Sequence, residues 1–118
     1  MTFSFLVPTS DGDANIDAWP DNKEREEAVR IVMALKEKYP GFIRNTTRSL
    51  ELMFSPYAER VTAACPSRAN ILPLYLEGDH FTTPYCCYGN DVDCDRCGAW
   101  AVFQMAARME RSNSVSWE

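Results

Sequence analysis

The chain has 118 residues, 46% of them hydrophobic and 25% charged, with a formal charge of −5. That length supports one domain with a modest core and not two, and the composition is that of a folded protein rather than a disordered one. An acidic balance without a basic patch excludes nucleic acid or an anionic membrane surface as the main partner, and no apolar run is long enough to span a bilayer.

The opening MTFSFLVP is apolar but has neither a basic start nor a small-residue cleavage site, so it does not read as a secretory signal. A cytoplasmic location is therefore expected, where the five cysteines stay reduced instead of forming a disulfide framework. In chain order, TFSFLVP reads as a short strand closed by Pro8. The polar stretch TSDGDANIDAWP follows as a loop, with Ile16 and Trp19 expected to dock inward. Asp21 begins a helix over NKEREEAVRIVMALKEKY, with Glu24 completing a capping-box-like pair. Ala28, Ile31, Val32, Leu35 and Tyr39 recur at helical spacing and define its expected apolar face; Pro40-Gly41 ends it.

GFIRN reads as a short strand and TTRSLELMFS as a second helix closed by Pro56. NILPLYLEGDHFTTPY holds two extended apolar stretches around a hairpin tip at Glu77-Gly78-Asp79, with Pro73 and Pro84 suited to edges. GAWAVFQMAARMER is a last helix beginning near Gly98, and SNSVSWE a polar tail. This order predicts an α/β (α+β) architecture: βα units over residues 1–60, then a cysteine-bracketed β-hairpin and a C-terminal helix over 61–118. A strand left with an open edge invites pairing, so association with a partner or a dimer is expected.

Four of the five cysteines fall within the stretch YCCYGNDVDCDRC. Cys94-Asp-Arg-Cys97 is a C-x-x-C pair, a spacing that lets two thiolates reach one metal or each other. Cys97 lies where the last helix begins, so unpaired amides and the positive helix end are expected to stabilise a thiolate there. Cys65 precedes the hairpin and Cys86 and Cys87 follow it, so closing the hairpin brings Cys65 near them, and a short loop returns Cys94 and Cys97 to the same end. Neighbouring side chains of an extended segment point to opposite faces, so one of Cys86 and Cys87 is the expected ligand and the pattern does not choose. Soft thiolates suit an iron–sulfur cluster or structural zinc. Against this stand two plainer readings, cysteines as small buried hydrophobes and a thioredoxin-like redox pair; the latter lacks the buried strand its motif requires.

A cysteine, twelve residues, Gly78, seven residues, Cys86 and then Cys94-Asp-Arg-Cys97 resembles the auxiliary-cluster (twitch/SPASM) region at the C-terminal end of radical S-adenosylmethionine enzymes. The upstream half, through KYPGFIRNTTRSLELM, resembles the last βα units of their partial barrel, most nearly in the hopanoid-biosynthesis-like members. The resemblance implies a [4Fe–4S] cluster held by Cys65, Cys86 or Cys87, Cys94 and Cys97, with zinc as the alternative occupant. It also implies a partner: the family cleaves S-adenosylmethionine on a second cluster held by C-x3-C-x2-C, and no such triplet occurs here. The chain alone is thus expected not to cleave S-adenosylmethionine, and to be either the C-terminal piece of a split or truncated radical enzyme, working with a barrel carried elsewhere, or a stand-alone cluster-binding module derived from one.

The remaining candidates are weaker. His80, the only histidine, sits at the hairpin tip and reads as a solvent-facing turn residue before it reads as a ligand. Asp91, Asp93 and Asp95 fail the calcium-loop pattern, since the sixth and twelfth positions hold Arg96 and Val102. Asp95 and Arg96 are expected to bond to neighbouring loops or cluster sulfurs, and Trp100 and Phe103 to belong to the helix's core face. Asp11 and Asp13 read first as loop residues and second as substrate contacts at a barrel mouth.

Overall fold

The computed structural model describes residues 1–10 and 21–118. The loop that carries Asp11, Asp13, Ile16 and Trp19 lies outside the described residues. The chain forms five helices and one hairpin among them: α1 Asn22–Lys38, α2 Thr47–Glu51, α3 Tyr57–Ala63, α4 Pro66–Asn70, β1 Tyr75–Glu77, β2 His80–Thr82 and α5 Trp100–Arg111.

Helix α1 starts where the sequence places it, with the Asp21 carboxylate accepting from Lys23 N at 2.9 Å. Its buried face matches the expected one only at Val32. Arg25, Val29 and Val32 are buried, whereas Ile31, Leu35 and Tyr39 face solvent, Ile31 at 62% exposure. The spacing i, i+4, i+7 is helical in both stripes, but the inner one begins with a charged residue and so escapes a reading that counts only apolar side chains.

The N-terminal segment runs extended, with Phe3, Phe5 and Val7 packed on the core and Thr2, Ser4 and Leu6 outward. It makes no continuous strand ladder; an isolated bridge joins Thr9 to Val92. Its N-terminal end pairs across the α1 crossover with GFIRN, Met1 N donating to Phe42 O at 2.7 Å and Arg44 N to Met1 O at 2.7 Å. These two bonds have the offset of a parallel pair, completed by Asn45, whose buried amide exchanges bonds with both Phe3 N and Phe3 O at 2.8 Å. The mixed helix and strand character expected from the sequence is thus present. A partial barrel is not shown: the regular sheet among the described residues is the two-stranded β1–β2 pair.

The expected second helix breaks early. Thr46 caps α2, accepting from Ser49 N at 3.2 Å, and the helix stops at Glu51, after which Leu52 and Met53 turn into the core. Two further helices were not anticipated, α3 after Pro56 and α4, which opens on Pro66 at its first position, where a missing amide costs nothing. Helix α5 packs against α2, α3 and α4, with Val102, Phe103, Ala106 and Ala107 buried. The tail is not loose: Trp117 is buried and its Nε1 donates to Ala106 O at 3.0 Å.

Candidate metal centre

The hairpin turns where expected, with Glu77 paired to His80 and Gly78 at φ +64, a conformation that favours glycine. His80 is on that tip, its side chain 67% exposed and its Nδ1 3.5 Å from Asp79 Oδ1, away from the cysteines.

Beyond the hairpin the chain makes a tight turn at 86–89. Cys86 N donates to Gly89 O at 3.2 Å and Gly89 N returns to Cys86 O at 3.0 Å, with Gly89 at φ +114. The turn points Tyr88 N at Cys86 Sγ, 3.3 Å away, while Cys87 is exposed and its carbonyl accepts from the Tyr75 hydroxyl. Cys94 to Arg96 forms a single tight helical turn that brings Cys97 N to Cys94 O at 3.2 Å.

The N-terminal segment and α1 position this cysteine loop. Phe5 N donates to Gly98 O at 2.9 Å, Gly98 N to Leu6 O at 3.1 Å, Asp93 N to Pro8 O at 2.8 Å and Ser10 N to Asp91 O at 2.7 Å. From α1, Asn22 Nδ2 reaches Asp95 O at 2.9 Å and Arg25 Nη1 reaches Cys97 O at 2.7 Å. Within the loop Arg96 Nε pairs with Asp93 Oδ2 at 2.7 Å. Asp93 thus shapes the loop through its carboxylate, and Asp91 and Asp95 through their backbone carbonyls.

All five cysteines line one cleft, together with Val7, Thr62, Arg68, Tyr85, Tyr88 and Val102. Cys65, Cys94 and Cys97 thus line the same cleft, which is the coarse part of what the sequence leads one to expect. The free space is about 40 Å³, room for roughly three water-sized spheres at about 10–15 Å³ each. No cysteine is in a disulfide. Among the described residues no three thiol, imidazole or carboxylate groups are gathered tightly enough to share a single ion.

Cys97 departs from expectation. Helix α5 begins three residues later, at Trp100, and burial pushes the Cys97 thiol up to about 11, with the neighbouring Cys65 and Cys94 sulfurs adding to the rise. The Ala99 backbone N–H and the Arg25 charge oppose it and lose. Loss of water outweighs the local dipoles, so without a bound cation Cys97 is a neutral thiol at pH 7. The Tyr85 hydroxyl lies 3.8 Å from Cys94 Sγ, and that bond holds the Tyr85 proton on. Tyr88, half-desolvated among Cys97, Cys87 and Cys86, is also shifted upward, mainly by burial.

Four residues around the cleft were missed in the sequence. Arg68 stacks over the Tyr85 ring at 3.8 Å, and Tyr88 closes the side by Cys86. Arg25, fully buried behind Cys97, is the one with a visible signal, standing in phase with Val29 and Val32. Of the expected helix residues, Phe103 is in the core, while Trp100 is half-buried with its backbone N bonded to Ser4 Oγ at 3.1 Å. No family model, curated protein or solved structure matches the chain.

Proposed function

We propose that the cleft holds a polynuclear iron–sulfur centre, an auxiliary [4Fe–4S] cluster, through Cys65, Cys86, Cys94 and Cys97. The single observation that carries this reading is that thiols from three separate segments line one cleft. The donor chemistry fits, since soft sulfur ligands are those that such clusters take. Cys86 is preferred to Cys87 because a backbone N–H is aimed at its sulfur, as Ala99 N–H is at Cys97; such donors stabilise a thiolate more than a thiol.

A single tetrahedral zinc with Zn–S contacts of about 2.3 Å requires sulfurs roughly 3.8 Å apart. Four sulfur donors on one cleft suit an iron–sulfur cluster on donor chemistry, and that is the centre proposed. Bound through four cysteines, such a centre supplies electron transfer or structural bracing, with no iron position left for substrate. The chain's own residues would seat it: the 86–89 turn and the Cys94–Arg96 turn bring sulfurs to the cleft, Tyr85, Tyr88 and Val7 form part of its wall, and the ligands must release their protons on binding.

We read residues 1–60 as βα units of a partial barrel of radical S-adenosylmethionine type, a reading supported by the parallel offset between Met1 and residues 42–44. With no C-x3-C-x2-C in the sequence, cleavage of S-adenosylmethionine is assigned to a partner barrel in the cytoplasm. Anaerobic reconstitution with ferrous iron and sulfide tests the proposal. A brown protein with about four irons per chain supports it; a colourless protein that retains one zinc replaces it with a structural zinc module. Cys94→Ser should abolish the colour, and undiminished iron content in that variant would remove Cys94 from the ligand set.

A further inference from the structure

A second cavity, a solvent-open groove of about 440 Å³, shares no lining residue with the cysteine cleft. It runs between the start of α2 and the C-terminal half of α5. Gln104, Ala107, Arg108 and Arg111 follow the helical spacing i, i+3, i+4 and i+7, so α5 turns one face to it. Thr46 and Arg48 form the opposite wall. The two walls are tied together: Thr46 Oγ1 donates to Gln104 Oε1 at 3.3 Å, and Arg48 holds Glu110 through Nε to Oε1 at 2.6 Å and Nη2 to Oε2 at 2.9 Å.

What remains in the groove is a set of donors. Glu110 is the one acid among the described residues that line it, and Arg48 takes both of its oxygens. Arg48 is itself occupied, with Glu51 at 3.2 Å and Glu118 at 2.9 Å as further partners. Among the described residues no carboxylate pairs with Arg108 or Arg111. Nor do these two close the end of α5, a common duty of arginines in a last turn. Backbone N–H groups do that: Ser112 N donates to Arg108 O at 3.0 Å, Asn113 N to Glu110 O at 3.1 Å and Ser114 N to Met109 O at 2.9 Å, with Asn113 at φ +59. The helix dipole favours positive charge there but fills none of the guanidinium donor sites. The Gln104 oxygen is engaged by Thr46, which leaves its amide NH2 as one more donor.

We propose that this groove binds a phosphate monoester with a polar, hydroxyl-bearing body, of the sugar phosphate class, its oxyanion held by Arg108 and Arg111. Residues three apart on a helix carry Cβ atoms about 5–6 Å apart, close enough for two guanidinium forks to meet one phosphate group, whose oxygens accept them in pairs. The groove falls within the roughly 300–1,000 Å³ of small-ligand sites and has room for more than a bare phosphate ion. Its other residues define the rest of the ligand. Thr46, Gln104 and Asn113 offer hydroxyl and amide groups suited to hydroxyls, and Ala107 is the one apolar side chain among the described lining residues. No aromatic ring is among them, so a base or an apolar tail has nothing to stack on. No thiol takes part, and the proposal stands apart from the iron–sulfur reading.

Titration calorimetry of the full chain tests this at physiological ionic strength, where non-specific attraction between exposed charges is screened. The probes are ribose 5-phosphate, ribose, inorganic phosphate and succinate. Ribose 5-phosphate should saturate a single site, ribose should not bind, and inorganic phosphate should bind about tenfold more weakly, for want of the bonds to the sugar hydroxyls. Arg108→Gln and Arg111→Gln should each weaken ribose 5-phosphate about tenfold, as loss of a charged hydrogen-bond donor does. Both arginines are exposed, so these variants should keep the circular dichroism of the wild type. Arg68→Gln, at the cysteine cleft, should bind as the wild type does. Absence of saturable ribose 5-phosphate binding overturns the proposal, as does an affinity unchanged in both groove variants. Equal affinity for inorganic phosphate and ribose 5-phosphate marks the groove as a place for an adventitious ion only, and overturns it too. Tighter binding of succinate than of ribose 5-phosphate would assign the groove to dicarboxylates and end the phosphate reading.

Discussion

At the residue scale the five thiols are not equivalent. Cys97 is buried and its thiol is pushed up to about 11, above the usual range near 9. In the unfolded chain the same group ionises first, so between about pH 9 and pH 11 the unfolded state binds fewer protons than the folded one, and stability falls as pH rises. The contribution is complete below that window and lost through it, on the order of 2–3 kcal/mol for a shift of this size. Urea unfolding of metal-free protein at neutral pH and near pH 10.5 should show this loss, and Cys97→Ala, in which nothing titrates at that site, should show less of it. The neighbouring pair separates by a different measurement. Cys86 has a backbone donor at its sulfur and Cys87 is exposed, so Cys86→Ser should bring the iron content from about four per chain close to zero, while Cys87→Ser should leave it unchanged. The reverse result would exchange their roles.

At the scale of elements, the cysteine loop depends on one close approach. A Cβ on Gly98 would lie 2.5 Å from Phe5 Cβ and 3.0 Å from Leu6 O, both next to backbone that cannot give way cheaply. Gly98→Ala should therefore destabilise the fold by about 1–3 kcal/mol, the usual penalty of overpacking, and loosen the bonds through which residues 5 and 6 hold Cys97 in place; chemical denaturation measures the first effect and reduced iron retention the second. Where local chemistry decides an element, the sequence is readable: the Asp21 cap, the Gly78 turn and the run into α5 all stand near their expected positions. That Cys65 lines the same cleft as Cys94 and Cys97 was readable too, because a hairpin must bring its ends together. What escaped was set by tertiary contact. The rotation of α1 follows from Arg25 reaching two carbonyls distant in sequence, and α2, α3 and α4 are each too short for periodicity to register. The tail reads as polar, yet Trp117 is buried, Arg60 Nη1 donates to its carbonyl at 2.7 Å, and Glu118 meets Arg48 at 2.9 Å and Tyr57 at 3.0 Å. Trp117→Ala should cost about 3–5 kcal/mol, as removal of a buried large aromatic does, a loss measurable as a lower denaturation midpoint.

On the scale of the whole molecule, the apolar surface is distributed in an unusual way. A two-stranded hairpin that packs on one side normally turns a polar face to water. Here the Tyr75 and Thr82 side of the sheet is the side whose Tyr75 hydroxyl reaches the Cys87 carbonyl. The opposite side carries the cross-strand pair Leu76 and Phe81, 65% and 68% exposed, with Leu72 and Leu74 exposed just before it. Burying Leu76 and Phe81 against a second surface would be worth about 1.5–3 kcal/mol each. Every 1.4 kcal/mol is a factor of about ten in a dissociation constant, so covering both side chains would favour an associated state, against the entropic cost of association. The protein should accordingly self-associate when no partner is supplied, its light-scattering mass rising with concentration. Leu76→Lys with Phe81→Lys should weaken that association at least tenfold while leaving the cysteine cleft and its iron content unaltered, because the substituted face points away from Cys87. A chain that scatters as a monodisperse monomer at all concentrations would show that this face is satisfied by water alone, and the expectation of a covering partner would fall with it.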